Sequence, residues 1–273
     1  MIIDSDLRST VIRHPLTVNR QPSTNMLVSI ITATFNSAST IAETMRSVEE
    51  QDYPHIQHIV VDGHSQDETL EIVQLYPHTA TLISEKDDGI YDAMNKGIRA
   101  ATGDIIGILN SDDMYTDAQV ISKVVKAFED PTVLACYADL QFVDERNTSL
   151  VTRTWKSGKY HQRSFYWGWM PPHPTFFVRK SVYELVGLYN THMHSAADYE
   201  MMLRIFVKEN MRVVYIPHFI IKMRTGGVSN ISVKNRVRAN REDRKAWRMN
   251  GLKPYFFTLY LKPLRKITQF LKK

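Results

Sequence analysis

Residues 104–113 read DIIGILNSDD. An apolar, β-branched run the length of a short strand ends in a polar turn that carries two adjacent carboxylates, Asp112 and Asp113. Neighbouring carboxylates repel each other unless a positive group stands between them or water solvates both. A covered strand that delivers such a pair to its carboxyl end fits a ligand-binding α/β sheet. Taken alone, SDD is also an ordinary turn with an Asx cap, so the neighbouring stretches have to decide.

Those stretches repeat the pattern. MLVSIITATF (26–35) is a continuous apolar run, as expected of a strand covered on both faces. STIAETMRSVEEQ (39–51) follows, with Ile41, Met45 and Val48 at helical spacing and a Thr40/Glu43 capping box. HIQHIVVDG (55–63) reads as a second strand and DETLEIVQLY (67–76) as a second helix with Asp67 at its N-cap. ATLISE (80–85) is a third strand and IYDAMNKGIRAA (90–101) a third helix. After the strand at 104–110, Asp117 caps a fourth helix through Phe128, and TVLACYA (132–138) is a fifth strand. This alternation predicts an α/β fold with a mainly parallel sheet and helices on both faces. In such sheets, ligands bind beyond the carboxyl ends of the strands. The segments found there are TFN (34–36), DGHSQD (62–67) and NSDD (110–113); all are polar and two are dominated by acids.

The second half is less regular. SFYWGWMPPHPTFFVRKSVYELVGLYN (164–190) is aromatic and broken by proline; Ser181 and Glu184 suggest a capping box, and Gly187 a helix stop. ADYEMMLRIFVKEN (197–210) reads as a helix and RVVYIP (212–217) as a strand. Residues 1–25 are polar, carry Pro15 and Pro22 and show no period, which predicts a loose arm.

Composition bounds the rest. The chain has 273 residues, 43% hydrophobic and 23% charged, an ordinary globular balance that needs no disulfide staple. The one cysteine, Cys136, lies inside an apolar run, which excludes an internal disulfide and fits a reducing compartment. MIIDSDLRSTVIRHP (1–15) is interrupted by charge too early for a secretory signal. No apolar stretch approaches the roughly 20 residues of a membrane-spanning helix. A cytoplasmic protein is expected.

The chemistry-bearing positions narrow the class. No G-x-G-x-x-G follows the first strand and no G-x-x-x-x-G-K-[ST] occurs, so dinucleotide and P-loop readings lose their main support. An exposed carboxylate at Asp62 could accept from a base N–H or a ribose hydroxyl. Mg²⁺ takes one or two carboxylates plus phosphate oxygens, which suits Asp112 and Asp113. No Ser-His-Asp or Cys-His pairing suggests a second nucleophile.

Taken together, SIITATFN (29–36), VVDGHSQDET (60–69), EKDDGIYDAMNKGIRAATGD (85–104) and GILNSDD (107–113) resemble, in order and spacing, the nucleotide-sugar half of family 2 glycosyltransferases with the GT-A fold. The family's Asp-Gly-x-Ser-x-Asp-x-Thr block matches at Asp62, Gly63, Ser65, Asp67 and Thr69, and its Asp-x-Asp element appears as Ser111-Asp112-Asp113. HPTFFVRKSVYELVGLYN (173–190) and AADYEMMLR (196–204) resemble its acceptor side. The resemblance covers about residues 26–230, divided into a nucleotide-sugar half (26–115) and an acceptor half (116–230).

The resemblance implies an inverting, metal-dependent transferase that uses a nucleotide sugar, with UDP favoured over GDP or dTDP. Thr34, Phe35 and Asn36 would line the base pocket, and Asp62 would hold the base. Asp88 would approach ribose or sugar, with Asn95 and Lys96 nearby. Asp112 would bind sugar or ribose and Asp113 the Mg²⁺ or Mn²⁺. Asp198 stands where the family keeps its general base; many members write Glu-Asp there, whereas this chain writes Ala197-Asp198.

Further positions carry two readings each. His173 could touch donor or acceptor, or steady its loop. Trp167 and Trp169 could stack on a sugar or pack in the core. Arg204 could meet the diphosphate or form a structural ion pair. His218 and KMRTGGVSN (222–230), with Arg224, Gly226 and Gly227, could close over the diphosphate or form a plain turn. A sugar-nucleotide nucleotidyltransferase would share the sheet, but TATFNSAST (32–40) lacks the glycine-rich basic loop it needs; a non-catalytic nucleotide- or sugar-binding module would have no use for Asp198.

From residue 231 onward, thirteen Lys and Arg residues face only Glu242 and Asp243, with YFFTLYL (255–261) between the charges. A basic amphipathic helical tail over 231–273 predicts attraction to an anionic membrane, which would make the protein peripheral at the inner face of the cytoplasmic membrane. No nucleic-acid-binding motif accompanies the charge; packing on its own domain is the other reading. With the resemblance, the tail points to a saccharide or lipid-linked saccharide acceptor in surface polysaccharide assembly.

Overall fold

A computed structural model describes residues 25–226 and 233–271. The expected arm over 1–25 lies outside the described residues except for Asn25, as does Gly227.

The first half alternates as its sequence requires: β1 (Val28–Thr34), α1 (Ile41–Glu49), β2 (Ile56–Asp62), α2 (Thr69–Gln74), β3 (Thr79–Ser84), α3 (Ile90–Ala100) and β4 (Ile105–Ile108). All seven residues of β1 and all four of β4 are buried. The reason is visible in their side chains. Along β1, Ile31 and Ala33 enter the core under α3, while Val28 and Ile30 enter the core on the other face. β1 pairs in parallel with β2 and with β4, and β2 with β3.

The second half adds β5 (Asp113–Tyr115), α4 (Val120–Ala127), β6 (Ala135–Val143), β7 (Val151–Trp155), β8 (Phe177–Arg179), α5 (Lys180–Val186), α6 (Ala197–Met202), β9 (Val213–Arg224), α7 (Val233–Met249) and α8 (Thr258–Leu271). The sheet runs β3-β2-β1-β4-β8-β6-β9-β5, with β7 beside β6. The parallel expectation describes the first four strands. Beyond β4 the sheet is mixed, because β8 pairs antiparallel with β4 and β6, and β5 antiparallel with β9. The result is a mixed α/β sheet flanked by helices.

Several local expectations are corrected. Thr40 and Glu43 form no capping box: the Thr40 hydroxyl donates to the Ser37 carbonyl, and Glu43 turns away to Arg224 and Thr148. Ser181 lies inside α5, whose N-cap is Arg179 and carries no side-chain cap. The strand expected at 212–217 continues to Arg224. Pro217 is accommodated because pairing with β6 jumps from Ile216 to Phe219, so the residue without an N–H falls in a bulge.

The basic segment after residue 231 is not a free appendage. Asp243, Ala246, Trp247 and Asn250, spaced three, one and three apart, form one buried helical face. Ala246, Trp247 and Leu259 join the same core as α3 and α6. Pro263 deprives the Leu259 carbonyl of its helical donor, and the Asn240 amide reaches that oxygen at 3.5 Å from α7. Gly168 meets the backbone of α8 so closely that a Cβ would lie 2.6 Å from the Lys262 nitrogen.

One buried pair makes the fold sensitive to acid. His58, on β2, is fully enclosed; it shares a proton with Thr32 Oγ1 at 3.0 Å and with His78 Nε2 at 3.0 Å. Burial, then the neighbouring His78, pushes its pKa down to about 3. The unfolded chain therefore takes up a proton below about pH 6.5 that the folded chain refuses, and stability falls as pH drops below that point, by at most about 1.4 kcal/mol per pH unit. The melting temperature should decline between pH 7.5 and pH 5, and His58→Asn should flatten that decline; an equally steep curve in the variant would refute the assignment.

Candidate active site

The parallel register brings three loops to one edge. Thr34 stands beside Asp62, and β4 ends where Ile108 pairs with Ile31 of β1. Asp62 is fully buried and accepts from the His64 and Ser65 amides at 3.1 Å, from the Ser84 hydroxyl at 2.8 Å and from the Ser65 hydroxyl. The exposed carboxylate expected there is thus corrected: its lone pairs serve the loop after β2. That loop is tied to the one after β1, since the Asn36 amide donates to Ser65 Oγ and Gln66 donates to Asn36 Oδ1, both at 2.8 Å.

Above this turn an open surface remains. Phe35 is 59% exposed. Gly63 leaves room for it and for a carboxylate, because a Cβ there would lie 2.6 Å from Asp87 Oδ2 and 3.4 Å from the Phe35 ring. Thr34 adds a buried hydroxyl oxygen with no hydrogen-bond partner. The acid beside this surface is Asp87, not Asp88, which is solvent-exposed. Sequence reasoning passed over Asp87; the doubled Asp-Asp before Gly89 was the available signal, without a way to choose between its members.

The carboxylates after β4 sit next. Ser37 and Ser111 join the first loop to this one through hydroxyls 2.8 Å apart. Asp113 is fully buried; Asn110 Nδ2 donates to its Oδ2 at 3.2 Å, while its Oδ1 and Asn110 Oδ1 are buried without partners. Burial, then the adjacent Asp112, holds the Asp113 carboxyl well above the usual range. Asp112 is more open; burial raises it too, and the charges of Arg224 and His173 draw it back.

His173 lies where its charge acts on Asp112, and it contacts Asp198. It occupies a short 3-10 turn (His173–Thr175), and its Nδ1 lies 3.1 Å from Asp198 Oδ2. Asp198, in the first turn of α6, accepts from the Tyr91 hydroxyl at 3.3 Å through its other oxygen. Tyr91 belongs to α3 and stacks on Tyr189, with ring centroids 5.8 Å apart. Both Asp198 oxygens are therefore oriented from opposite sides by groups on different elements. Tyr91, like Asp87, is a site residue that sequence reasoning missed; only its place one position after the start of α3, facing inward with Met94 and Ile98, could have flagged it.

Other expected residues are engaged elsewhere. Asn95 is buried with both ends of its amide on the Tyr189 backbone, each at 2.9 Å, so it pins α3 to residues 188–190 and cannot reach a donor. Lys96 is held by Glu85 at 2.9 Å and by the Lys86 carbonyl at 2.9 Å, bracing the loop before α3. Arg204 donates to the carbonyls of Val186, Gly187 and Leu188 and to Glu200 Oε2, the structural reading of that residue. Trp169 donates to the Ser157 carbonyl at 2.8 Å and packs among Tyr137, Tyr160, Phe165 and Phe206, which makes it a core residue. Trp167 stacks near Tyr255 and Phe257 of the C-terminal segment. His218 is exposed on β9, next to Phe219, which pairs with the buried Asp139 of β6. Arg224, at the end of β9, is buried, pairs with Glu43 at 2.9 Å and donates to the Glu145 carbonyl.

Comparison with known proteins gives the family and the fold. The model of Glycosyl transferase family 2 matches residues 29–187. An uncharacterized glycosyltransferase of Mycobacterium tuberculosis is 32% identical over 180 residues, 65% of this chain and 68% of that protein. A PGL/p-HBAD biosynthesis glycosyltransferase of the same species is 28% identical over 215 residues, 76% of this chain and 80% of that one. Among solved structures, S. aureus TarS (residues 1–349, in complex with UDP-GlcNAc) superposes with a TM-score of 0.61 at 18% identity, over 82% of this chain and 65% of that one. Mannosyltransferase PcManGT from Pyrobaculum calidifontis, in complex with GDP-Man and Mn²⁺, superposes at 0.64 and 22% identity, over 92% and 72%. These structures share the fold, and the chain belongs to glycosyl transferase family 2.

Proposed function

We propose that the protein is an inverting glycosyltransferase that moves a sugar from a nucleoside-diphosphate donor, UDP-linked ahead of GDP- or dTDP-linked, to a saccharide or lipid-linked saccharide acceptor in surface polysaccharide assembly. One observation carries the reading: Asp198 is held at both carboxylate oxygens, by His173 at 3.1 Å and by the Tyr91 hydroxyl at 3.3 Å, as a positioned proton acceptor needs, and the charge of the same His173 acts on Asp112 of the pair after β4. The names of relatives support the product class, among them a putative teichuronic acid biosynthesis glycosyltransferase of Bacillus subtilis, 37% identical over 93 residues.

The base would lie against Phe35, Gly63 and Asp87, with Asp62 acting indirectly by fixing the turn. The acceptor hydroxyl would give its proton to Asp198, whose orientation is set by Tyr91 and His173. Attack on the face opposite the leaving diphosphate inverts the anomeric carbon. The 3.1 Å contact also favours a second reading, in which His173 takes the proton and Asp198 steadies its ring.

A divalent cation, Mg²⁺ or Mn²⁺, would complete the donor site; the structural neighbour PcManGT is bound to Mn²⁺, and the residues present fit one. Two carboxyls raised by burial and two orphaned acceptors, on Asn110 and Asp113, need positive charge. A cation there would be held by the Asp112–Asp113 pair and by donor phosphate oxygens, the ligand set Mg²⁺ typically takes. Bound there, it would stabilise charge on the departing diphosphate.

Two outcomes are expected. Asp198→Asn should lower kcat by about 10²–10⁴ with donor affinity nearly unchanged; His173→Gln should cost much less if Asp198 is the base and equally much if His173 is, and unaltered turnover in Asp198→Asn would sink both readings. Asp113→Asn removes a buried carboxylate whose ionisation costs more stability as pH climbs through the carboxylate range. Without metal its melting temperature at pH 8 should exceed that of the wild type by about 2 °C or more, whereas Mn²⁺ plus UDP should stabilise only the wild type; equal metal responses would reject the pair as the cation site.

A further inference from the structure

The outer surface of the C-terminal segment has no role in the site described above. Between α7 and α8 the chain forms an aromatic knuckle. Phe256 is 88% exposed, Tyr260 62% and Leu264 54%, and Trp167, 53% exposed, joins them from the 164–167 turn. The rings are contiguous: Trp167 lies 6.3 Å from Tyr255 and 5.2 Å from Phe257, and Phe257 lies 5.1 Å from Phe256. Exposed apolar clusters of this kind mark a surface that meets something other than water.

The charges say what it meets. On α7, Arg241, Arg244, Lys245 and Arg248 occupy one exposed face, at spacings of three, one and three residues, opposite the buried Asp243, Ala246, Trp247 and Asn250. Lys253 is exposed at the foot of the knuckle. The segment's two acids point the other way. Glu242 accepts from the His194 and Ser195 amides and from the Ser195 hydroxyl. Asp243 pairs with Lys262 at 2.7 Å, and Lys262 in turn lies 3.6 Å from the centre of the Tyr199 ring. The outward side chains of the segment are thus aromatic and cationic, while its two acids are engaged by residues 194–195 and by Lys262.

We infer that the α7–α8 knuckle, with the basic face of α7, is a docking surface for an anionic lipid bilayer. Aromatic side chains with one polar tip settle at the headgroup level, and Lys and Arg beside them are attracted by anionic lipid. A second copy of the chain is the poorer occupant, because it would set one cationic surface against another. The opposite, buried face of α7 reaches the catalytic side. Trp247 Nε1 donates to the Tyr199 hydroxyl at 2.9 Å and Asn250 to Glu200 at 2.9 Å, both on the helix that carries Asp198. Docking does not depend on the proposed reaction; only its corollary, that the acceptor is the lipid-linked one, rests on that reading.

The test uses the full chain and vesicles of phosphatidylcholine alone or mixed equally with phosphatidylglycerol. The protein should co-sediment with the mixed vesicles, release at high salt and ignore the neutral ones. Phe256→Asp should lower partitioning about tenfold, and the double variant Arg244→Glu, Arg248→Glu at least 25-fold, about fivefold for each cationic residue. Because all three side chains are exposed, thermal melts and UDP binding should stay at wild-type values, which separates a failure of docking from a failure of the catalytic proposal. Absence of binding to the anionic vesicles, or unchanged binding in both variants, overturns the inference. So does a wild-type dimer that Phe256→Asp converts to monomer without any vesicle association.

Discussion

The register of β1 governs the molecule. Its side chains alternate between two cores, so a slip of one residue would send Ile31 and Ala33 to the wrong face. Its parallel pairing with β2 and β4 then fixes where the neighbouring strands stop, at Asp62 and Ile108. Because β4 ends three residues short of β1, the chain from Leu109 to Asp112 has to run on as a loop. Leu109 anchors it by donating to the Ile31 carbonyl at 2.9 Å, and Asp113 then restarts the sheet as β5 against β9. The same hydrophobic register that builds the core thus delivers the carboxylate pair to the cleft.

Two buried aspartates show how differently an acid can be housed. Asp62 is surrounded by donors from its own turn and from Ser84, and it behaves as a structural acceptor set. Asp113 is equally enclosed but has one donor, Asn110, and an adjacent like charge. A buried carboxylate with unused lone pairs is costly, and a fold has no structural reason to keep it. That contrast, more than the mere presence of acids along one edge, marks the loop after β4 as the place where a positive ligand belongs.

Much of this was readable from the residues. The β-branched runs at 28–34, 56–62 and 105–108 are buried on both faces, and continuous apolar sequence is the direct signature of that environment. The acids at their ends followed from topology. Reading failed where a residue's partner lies far away in the chain. Asn95 looked like a donor ligand, yet its partner is the backbone of Tyr189, and Glu43 looked like a cap, yet it answers Arg224. The short strands β5 and β8, three residues each, have no period long enough to detect, and β7 has neither a fully buried residue nor an alternating pattern of burial. Choosing Asp87 over Asp88 needed the position of Gly63, which only the folded loop supplies.

The C-terminal segment shows why charge counts alone mislead. Thirteen cations against two acids suggested a basic amphipathic tail drawn to a membrane, yet the two acids are among its best-anchored groups. Glu242 fixes residues 194–195, just before α6, and Asp243 holds Lys262 over the ring of Tyr199. With Trp247 wedged against Tyr199 and Asn250 on Glu200, the helix carrying Asp198 is gripped through the two residues that follow it, while Tyr91 and His173 hold Asp198 itself. Removing the segment would therefore expose the back of the catalytic helix as well as strip away positive charge. Loss of activity in a truncation would not distinguish a membrane role from a structural one, whereas point changes on the outer face leave the grip on α6 intact. The inward and outward faces of α7 are separable because helical periodicity puts Trp247 and Arg248 a hundred degrees apart, and that separation lets one short helix support the site with one side and meet the outside with the other.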